Sequence, residues 1–382
     1  MPTLTPRLRS LIWYWSPAVI TGLISGLSFL FIGQTPLLRA GGLAVAVVGV
    51  TLALRRMGGL MSVAGGLALA YSPAFWAQTG GSGSNPATIV LALGAAIILG
   101  VALLVTFTQR PYVAAVIALI LFAGVFLSGV GEQRSLRLTV LASAWLIYVL
   151  TQAVIETNPR PGDPPAARLR ASYRAAILLI LGAATLNDPL FVLWTPAVTL
   201  GLAQAKTRIP AWYWAALLLI VGFGLRGVIF TYVDAAAWAM TTEAASAMRR
   251  GLPYLVAEGW RDGARWVETF ALLAAQFTPV GVVLGLIGLA RMSRWYPALG
   301  PVMVVAYGFF FAFGLAYFGR DRSTLLLPLS MIQVFFMTYA VHAIGQWLAK
   351  VANAPETLTV RFIAPAGYAV IPLVLLAQII AT

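Results

Sequence analysis

The 382-residue chain has no cysteine and a single histidine, His342. Without thiolates or a second imidazole it cannot build an iron–sulfur cluster, a structural zinc site or a bis-histidine haem, and no cofactor is expected. The cysteine count leaves the redox compartment open. Charge is also scarce: 9% of residues are charged, against roughly 25% in an ordinary soluble domain. Acids are the scarcest of all, and none precedes Glu132. A carboxylate general base therefore cannot come from the amino-terminal third.

Hydrocarbon is abundant instead. Hydrophobic residues make up 60% of the chain and fall in blocks of about 17 to 25, the length that crosses roughly 30 Å of bilayer core at 1.5 Å per residue. Within lipid each block closes its own backbone hydrogen bonds only as a helix. The expected fold is an all-α polytopic integral membrane protein with about 11–13 transmembrane helices. The spans are Leu11–Ile32, Ala40–Leu54, Met57–Ala77, Pro86–Phe107, Tyr112–Val130, Leu136–Ile155, Ala175–Leu186, Pro189–Ala205, Ala211–Val233, Val267–Ala290, Pro297–Phe318, Thr324–Leu348 and Phe362–Ile380. The seventh and eighth are short and meet at Asn187 and Asp188, so a broken hairpin is the alternative there. The run after Arg7 and Arg9 is too long for a signal peptide and reads as the first span.

A net charge of +14 would suggest nucleic acid in a soluble protein. Here the Lys and Arg residues sit between apolar blocks, where they set topology and meet lipid phosphates, so membrane lipids are the expected partners and nucleic acid is not. With the amino terminus in the cytoplasm, Arg55, Arg56, Arg110, Arg160, Arg168, Arg170, Arg174, Lys206, Arg208, Arg291, Arg294, Lys350 and Arg361 lie inside. Residues 156–170, with the run Asn158-Pro159-Arg160-Pro161-Gly162-Asp163-Pro164-Pro165, form a stiff cytoplasmic linker between an amino-terminal bundle (1–155) and a carboxy-terminal one (171–382). Residues 234–266 place Leu252, Leu255, Val256, Trp260, Ala264 and Val267 at helical spacing, with Glu258, Arg261, Asp262 and Arg265 on the other face. That pattern predicts an amphipathic helix in the outer interface; a partly ordered loop is the alternative. No internal repeat is evident, so the inverted-repeat signature of many secondary transporters is missing. Small residues four apart, Gly22 with Gly26 and Gly281 with Gly285, predict close helix contacts.

Ionisable groups inside spans are the first functional candidates, because a charge at a span centre costs about 2.5 to 3.5 kcal/mol on insertion scales. Arg226 can reach a lipid phosphate near the outer surface or simply snorkel. His342 reads as a packing residue more readily than as a proton relay. The outward ends of spans carry more: Tyr71-Ser72-Pro73-Ala74-Phe75-Trp76-Ala77-Gln78, Leu186-Asn187-Asp188-Pro189, and Tyr317-Phe318-Gly319-Arg320-Asp321-Arg322-Ser323. Their aromatic, carboxylate and guanidinium groups are expected to line one cavity suited to an anionic lipid-linked substrate. Against this stands the plainer reading of Asp188 as a helix cap at an Asp-Pro turn, and of Arg320, Asp321 and Arg322 as a solvated cluster. With no paired carboxylates near Asp188, no dedicated metal site is expected.

The segment Ser72-Pro73-Ala74-Phe75-Trp76-Ala77-Gln78 resembles the Ser-Pro-Thr-Phe-Trp-Ser-Gln signature of a bacterial family similar to protein O-mannosyltransferases, within the GT-C class of membrane glycosyltransferases. Weaker likenesses follow in order: Arg39 and the span after it, Leu186-Asn187-Asp188 to Pro196, Gln276-Phe277-Thr278-Pro279-Val280-Gly281 with Leu286–Leu289, and Tyr317–Pro328 with Asp321 before Leu327-Pro328. The resemblance implies a GT-C-like bundle in a bacterial plasma membrane. In such enzymes a sugar passes from a polyprenyl-phosphate carrier to an acceptor at the outer face, an acid in the first outer loop handles the acceptor hydroxyl, and basic residues hold the lipid phosphate. Here the first outer loop, about Gly33–Arg39, holds no acid, and the family's His-Pro-Pro-Gly-Tyr segment is missing.

Four functions remain open. One is a GT-C-like protein that keeps its lipid-linked sugar cavity but has lost catalysis. A second is an active glycosyltransferase with Asp188 or Asp321 as base, and with Arg226, Arg249, Arg250, Arg320 and Arg322 on the carrier phosphates, beside Tyr71, Trp76 and Asn187. The others are a transporter and a structural subunit of a membrane complex with protein partners.

Overall fold

The computed structural model describes residues 6–80, 86–107, 136–159, 168–205, 207–229, 255, 259–319, 321–353 and 355–381. The expected span Tyr112–Val130, the Pro-rich run from Arg160 to Pro165 and most of 234–258 lie outside the described residues.

The protein is an all-α polytopic integral membrane protein, with no strand among the described residues. Its helices are α1 (Pro6–Phe31), α2 (Leu37–Leu54), α3 (Gly59–Ala70), α4 (Pro73–Trp76), α5 (Pro86–Phe107), α6 (Leu136–Thr157), α7 (Ala171–Asn187), α8 (Thr195–Gln204), α9 (Ala211–Val228), α10 (Gly263–Trp295), α11 (Leu299–Ala316), α12 (Arg322–Leu325), α13 (Leu327–Val351) and α14 (Ala364–Ala381). Eight among the described residues are long and apolar enough to cross a membrane, or nine if the bent pair α3 and α4 counts as one span.

Breakers in the sequence explain where the helices depart from the expected spans. Ser72 precedes Pro73, whose ring disfavours helical geometry in the residue before it, and Ser72 is extended (φ −65°, ψ 137°). The chain bends by 63° at that point, so the third span is not one straight helix. Asp188 before Pro189 likewise ends α7 at 17 residues, and a 3₁₀ turn, Pro189–Trp194, leads into the short α8. A 17-residue helix is about 26 Å long, short of the roughly 30 Å hydrocarbon core, which favours the broken-hairpin alternative.

Further along, α10 begins at Gly263, four residues before the expected span, because Asp262 accepts from Ala264 N–H and caps it. Arg265 therefore belongs to a helix that enters the bundle. It is buried, which corrects its placement on the polar face of an interfacial helix. The last span starts earlier too, at Glu356, through a π-helical turn (Thr359–Ile363).

The interior is built around α2, α6 and α13, whose most apolar windows are 78%, 94% and 83% buried, while those of α9 and α10 are 17% and 28% buried. Glycines permit the closest crossings. A β-carbon on Gly22 would lie 2.6 Å from Val48, and one on Gly288 would run into the Phe336 backbone of α13. Helix α3, from before the linker, packs against α13 and α14 from after it. Residues from both sides join a single buried apolar cluster.

Following the helices in order separates two ends of the bundle. At one end are Arg55, Arg56, Arg170, Arg174, Arg208, Arg291, Arg294, Lys350 and Arg361, with Glu156 and Glu356 the acids there among the described residues. The other, here called the Trp76 end, carries Arg39, Arg137, Arg226, Arg261, Arg265 and Arg322 against Asp188, Asp262, Glu268 and Asp321.

Candidate functional site

The Trp76 end is held together by polar contacts between segments far apart in sequence. Tyr71, at the bend after α3, is buried, and its hydroxyl lies 2.9 Å from Ser28 Oγ. Its ring meets Trp76 at 6.1 Å, and Trp76 in turn meets Phe29 at 5.5 Å. The Ser72 hydroxyl donates back to Leu69 O (2.8 Å) and so does not cap α4. Gln276, 202 residues away on α10, does so instead: its Oε1 accepts from Ala74 N–H at 2.7 Å. Two of the segments singled out in the sequence are thus in direct contact.

The carbonyls that follow α4 are gripped by two arginines. Arg39, at the start of α2, donates to Thr79 O (3.2 Å) and Gly80 O (2.8 Å). Arg137, at the start of α6, donates to Gln78 O and Gly80 O, both at 2.8 Å. Two residues on, Thr139 links this loop to the α7 terminus: Asn187 Nδ2 donates to Thr139 Oγ1 (3.0 Å), which donates to Asp188 Oδ2 (3.3 Å). Asp188 is 1% exposed, and its Oδ1 accepts from Leu190 N–H at 3.1 Å, so the plainer helix-cap role is the one its geometry fills. Arg226 is exposed on the last turn of α9, next to Gly227, which packs on Pro189.

A third group surrounds the start of α12. Arg265 and Arg322 are both more than nine-tenths buried and share one oxygen of Glu268: Oε2 lies 2.7 Å from Arg265 Nη1 and 3.2 Å from Arg322 Nη1. Arg265 also donates to the carbonyls of Leu315 (3.3 Å), Gly314 (3.4 Å) and Tyr317, and lies 3.9 Å over the Phe318 ring. It thereby satisfies the orphan carbonyls and negative dipole at the end of α11. Arg322 donates to Thr269 Oγ1 (3.2 Å). Burial and then the neighbouring Arg265 pull the Arg322 guanidinium below its ordinary pKa, while Glu268 pulls it back up. Arg322 is thus not part of a solvated cluster. Asp321 is half-buried and accepts from the Tyr317 hydroxyl at 2.6 Å. Helices α10 and α12 both touch α4, which joins this group to Trp76.

Arg249, Arg250 and Arg320 lie outside the described residues. His342 packs its ring against Trp295 (6.0 Å) near the opposite end of the bundle, and no cluster of metal-ligating side chains occurs among the described residues. Sequence reading did not single out Arg137, Glu268 or Gln276 as site residues. Arg137 opens an apolar span two residues before a threonine and Gln276 stands alone between apolar neighbours inside one, so an isolated polar residue in an apolar run was the signal available. The chain matches no protein-family model, no curated protein and no solved structure.

Proposed function

We propose that the protein binds the phosphate of a lipid-linked sugar or related polyprenyl phosphate at the Trp76 end and does not transfer the sugar. The state of Asp188 supports this reading most: a carboxylate that is 1% exposed and holds Leu190 N–H and Thr139 cannot take a proton from an incoming acceptor. Around it the end is rich in guanidinium groups: Arg226 is exposed, while Arg39 and Arg137 donate to the carbonyls of one loop and lend that end their positive charge. Arginine forks suit phosphate oxygens.

The excess of basic residues at the opposite end supports an orientation with that end in the cytoplasm, the Trp76 end outside and the amino terminus inside. The sequence resemblance to GT-C enzymes supports a bacterial plasma membrane as the location, and an accessory or binding component derived from a transferase as the role.

Half-buried Asp321, bonded to Tyr317, is what favours the competing reading, an active transferase. The test is binding and turnover of a polyprenyl-phosphate sugar by the purified protein. Saturable binding that weakens with Arg226→Gln, and no sugar release, is the expected outcome. Sugar release abolished by Asp321→Asn or Asp188→Asn would establish the transferase instead.

A further inference from the structure

Away from the polar end, the bundle flank of α10 bears a groove of about 540 Å³ lined by Trp266, Val267, Phe270, Ala274, Pro279 and Val283, among others, every one of them apolar. That volume is in the range of pockets that hold discrete ligands, about 300–1,000 Å³. A break in the helix lies within the groove. Phe277 (φ −135°, ψ 15°) and Thr278 (φ 66°, ψ 163°) leave helical geometry just before Pro279, so the turns above and below do not run as one cylinder. Thr278 occupies a region that is essentially reserved for glycine, which costs of order 1–3 kcal/mol and persists where the surroundings impose it. Gln276, which accepts from Ala74 N–H of α4, and Gln333 of α13, which donates to Gly281 O (3.1 Å), hold the two sides of the break. The rings of Trp266 and Phe270 rest on Phe311 of α11 at 5.5 and 5.4 Å, while Val267, Val280 and Val283 are more than half exposed.

We infer that this groove holds one chain of an anionic glycerophospholipid. Depth and charge select that occupant. Arg291 and Arg294 mark the inner end of α10, and Trp266 precedes Arg291 by 25 residues, more than the roughly 20 that cross the hydrocarbon core, so Trp266 stands at headgroup depth. The groove therefore runs from headgroup to midplane, the reach of an acyl chain in one leaflet rather than of a longer polyprenyl tail. At its mouth the Trp266 indole donates to Trp260 O (2.7 Å), and the exposed Arg261 sits over the Trp260 ring at 5.3 Å. Two interfacial tryptophans and a cation are the contacts an anionic headgroup requires.

The test uses the full chain, equilibrated with vesicles of equal phosphatidylglycerol and phosphatidylcholine, then extracted in mild detergent and weighed intact by native mass spectrometry. Wild type should keep one phosphatidylglycerol, preferred about tenfold, equivalent to about 1.4 kcal/mol. Ala274→Trp, which fills the groove, should lose the bound lipid, and Ala271→Phe serves as a second filling variant if the first does not fold. Arg261→Gln should retain a lipid but bind both headgroups alike. Leu219→Trp, on the exposed face of α9, should change nothing. Retention of phosphatidylglycerol by the folded filling variants would overturn the inference, as would its stoichiometric displacement by polyprenyl phosphate.

Discussion

Gln276→Ala tests the joint on which the Trp76 end depends. In the wild type the α4 N–H of Ala74 is buried, Ser72 spends its hydroxyl on Leu69 O, and Gln276 Oε1 supplies the cap at 2.7 Å. An ordinary N-cap contributes about 0.5–2 kcal/mol. An N–H left without a partner in a buried site costs about 1–3 kcal/mol. The expected loss is therefore about 1–3 kcal/mol, concentrated at the bend rather than spread through the bundle. Ser72→Ala is the matched comparison. It removes a donor to Leu69 O, but that carbonyl keeps the Ser72 N–H at 3.1 Å, so its cost should be no more than about 1 kcal/mol. Thermal unfolding in detergent gives the order of the two variants, and deuterium exchange over residues 73–77 gives the location. Exchange there should accelerate roughly ten- to a hundredfold in Gln276→Ala, since each 1.4 kcal/mol is tenfold. A Gln276→Ala protein no less stable than Ser72→Ala, with unchanged exchange at 73–77, would refute this account of the joint.

Thr278→Gly should raise the melting temperature or leave it unchanged, because relief of the positive φ, about 1–3 kcal/mol, outweighs the extra freedom glycine gives the unfolded chain, about 0.5–1 kcal/mol; a clear drop would mean the backbone is not strained there. Asp188→Asn keeps the cap to Leu190 N–H but loses the acceptor for the Thr139 hydroxyl, so it should cost up to about 1 kcal/mol by melting and bind lipid phosphate unchanged, whereas Asp188→Ala loses both bonds and should cost about 1–2 kcal/mol. Gly288→Ala should cut the yield of folded protein sharply in size-exclusion profiles, because its β-carbon meets the Phe336 backbone rather than a yielding side chain.

The membrane class and the order of the helices were legible because hydrocarbon length and backbone satisfaction leave one solution for long apolar runs. The breaks were harder to read. Nothing in Met57–Ala77 lowers hydropathy enough to end a span, yet Ser72-Pro73 bends it by 63°, a local backbone effect that averaging over a window hides. The roles of Arg265 and Gln276 were not readable at all, because each serves a backbone group on another helix, carbonyls of 314–317 and the N–H of Ala74. Periodicity placed Arg265 on a polar face, whereas tertiary contact buries it. For Asp188 the sequence offered two roles, and the hydrogen bond from Leu190 N–H shows it capping the turn.

The proposed outward orientation of these polar helix ends is open to direct measurement, since a chain with no cysteine needs no background removed. Ala77→Cys, Arg226→Cys and Asp321→Cys report one end of the bundle, and Arg56→Cys and Arg294→Cys the other. In intact cells a membrane-impermeant maleimide should label the first three and spare the last two until the membrane is opened. Labelling of Ala77→Cys and Asp321→Cys from opposite sides would contradict a shared outward surface.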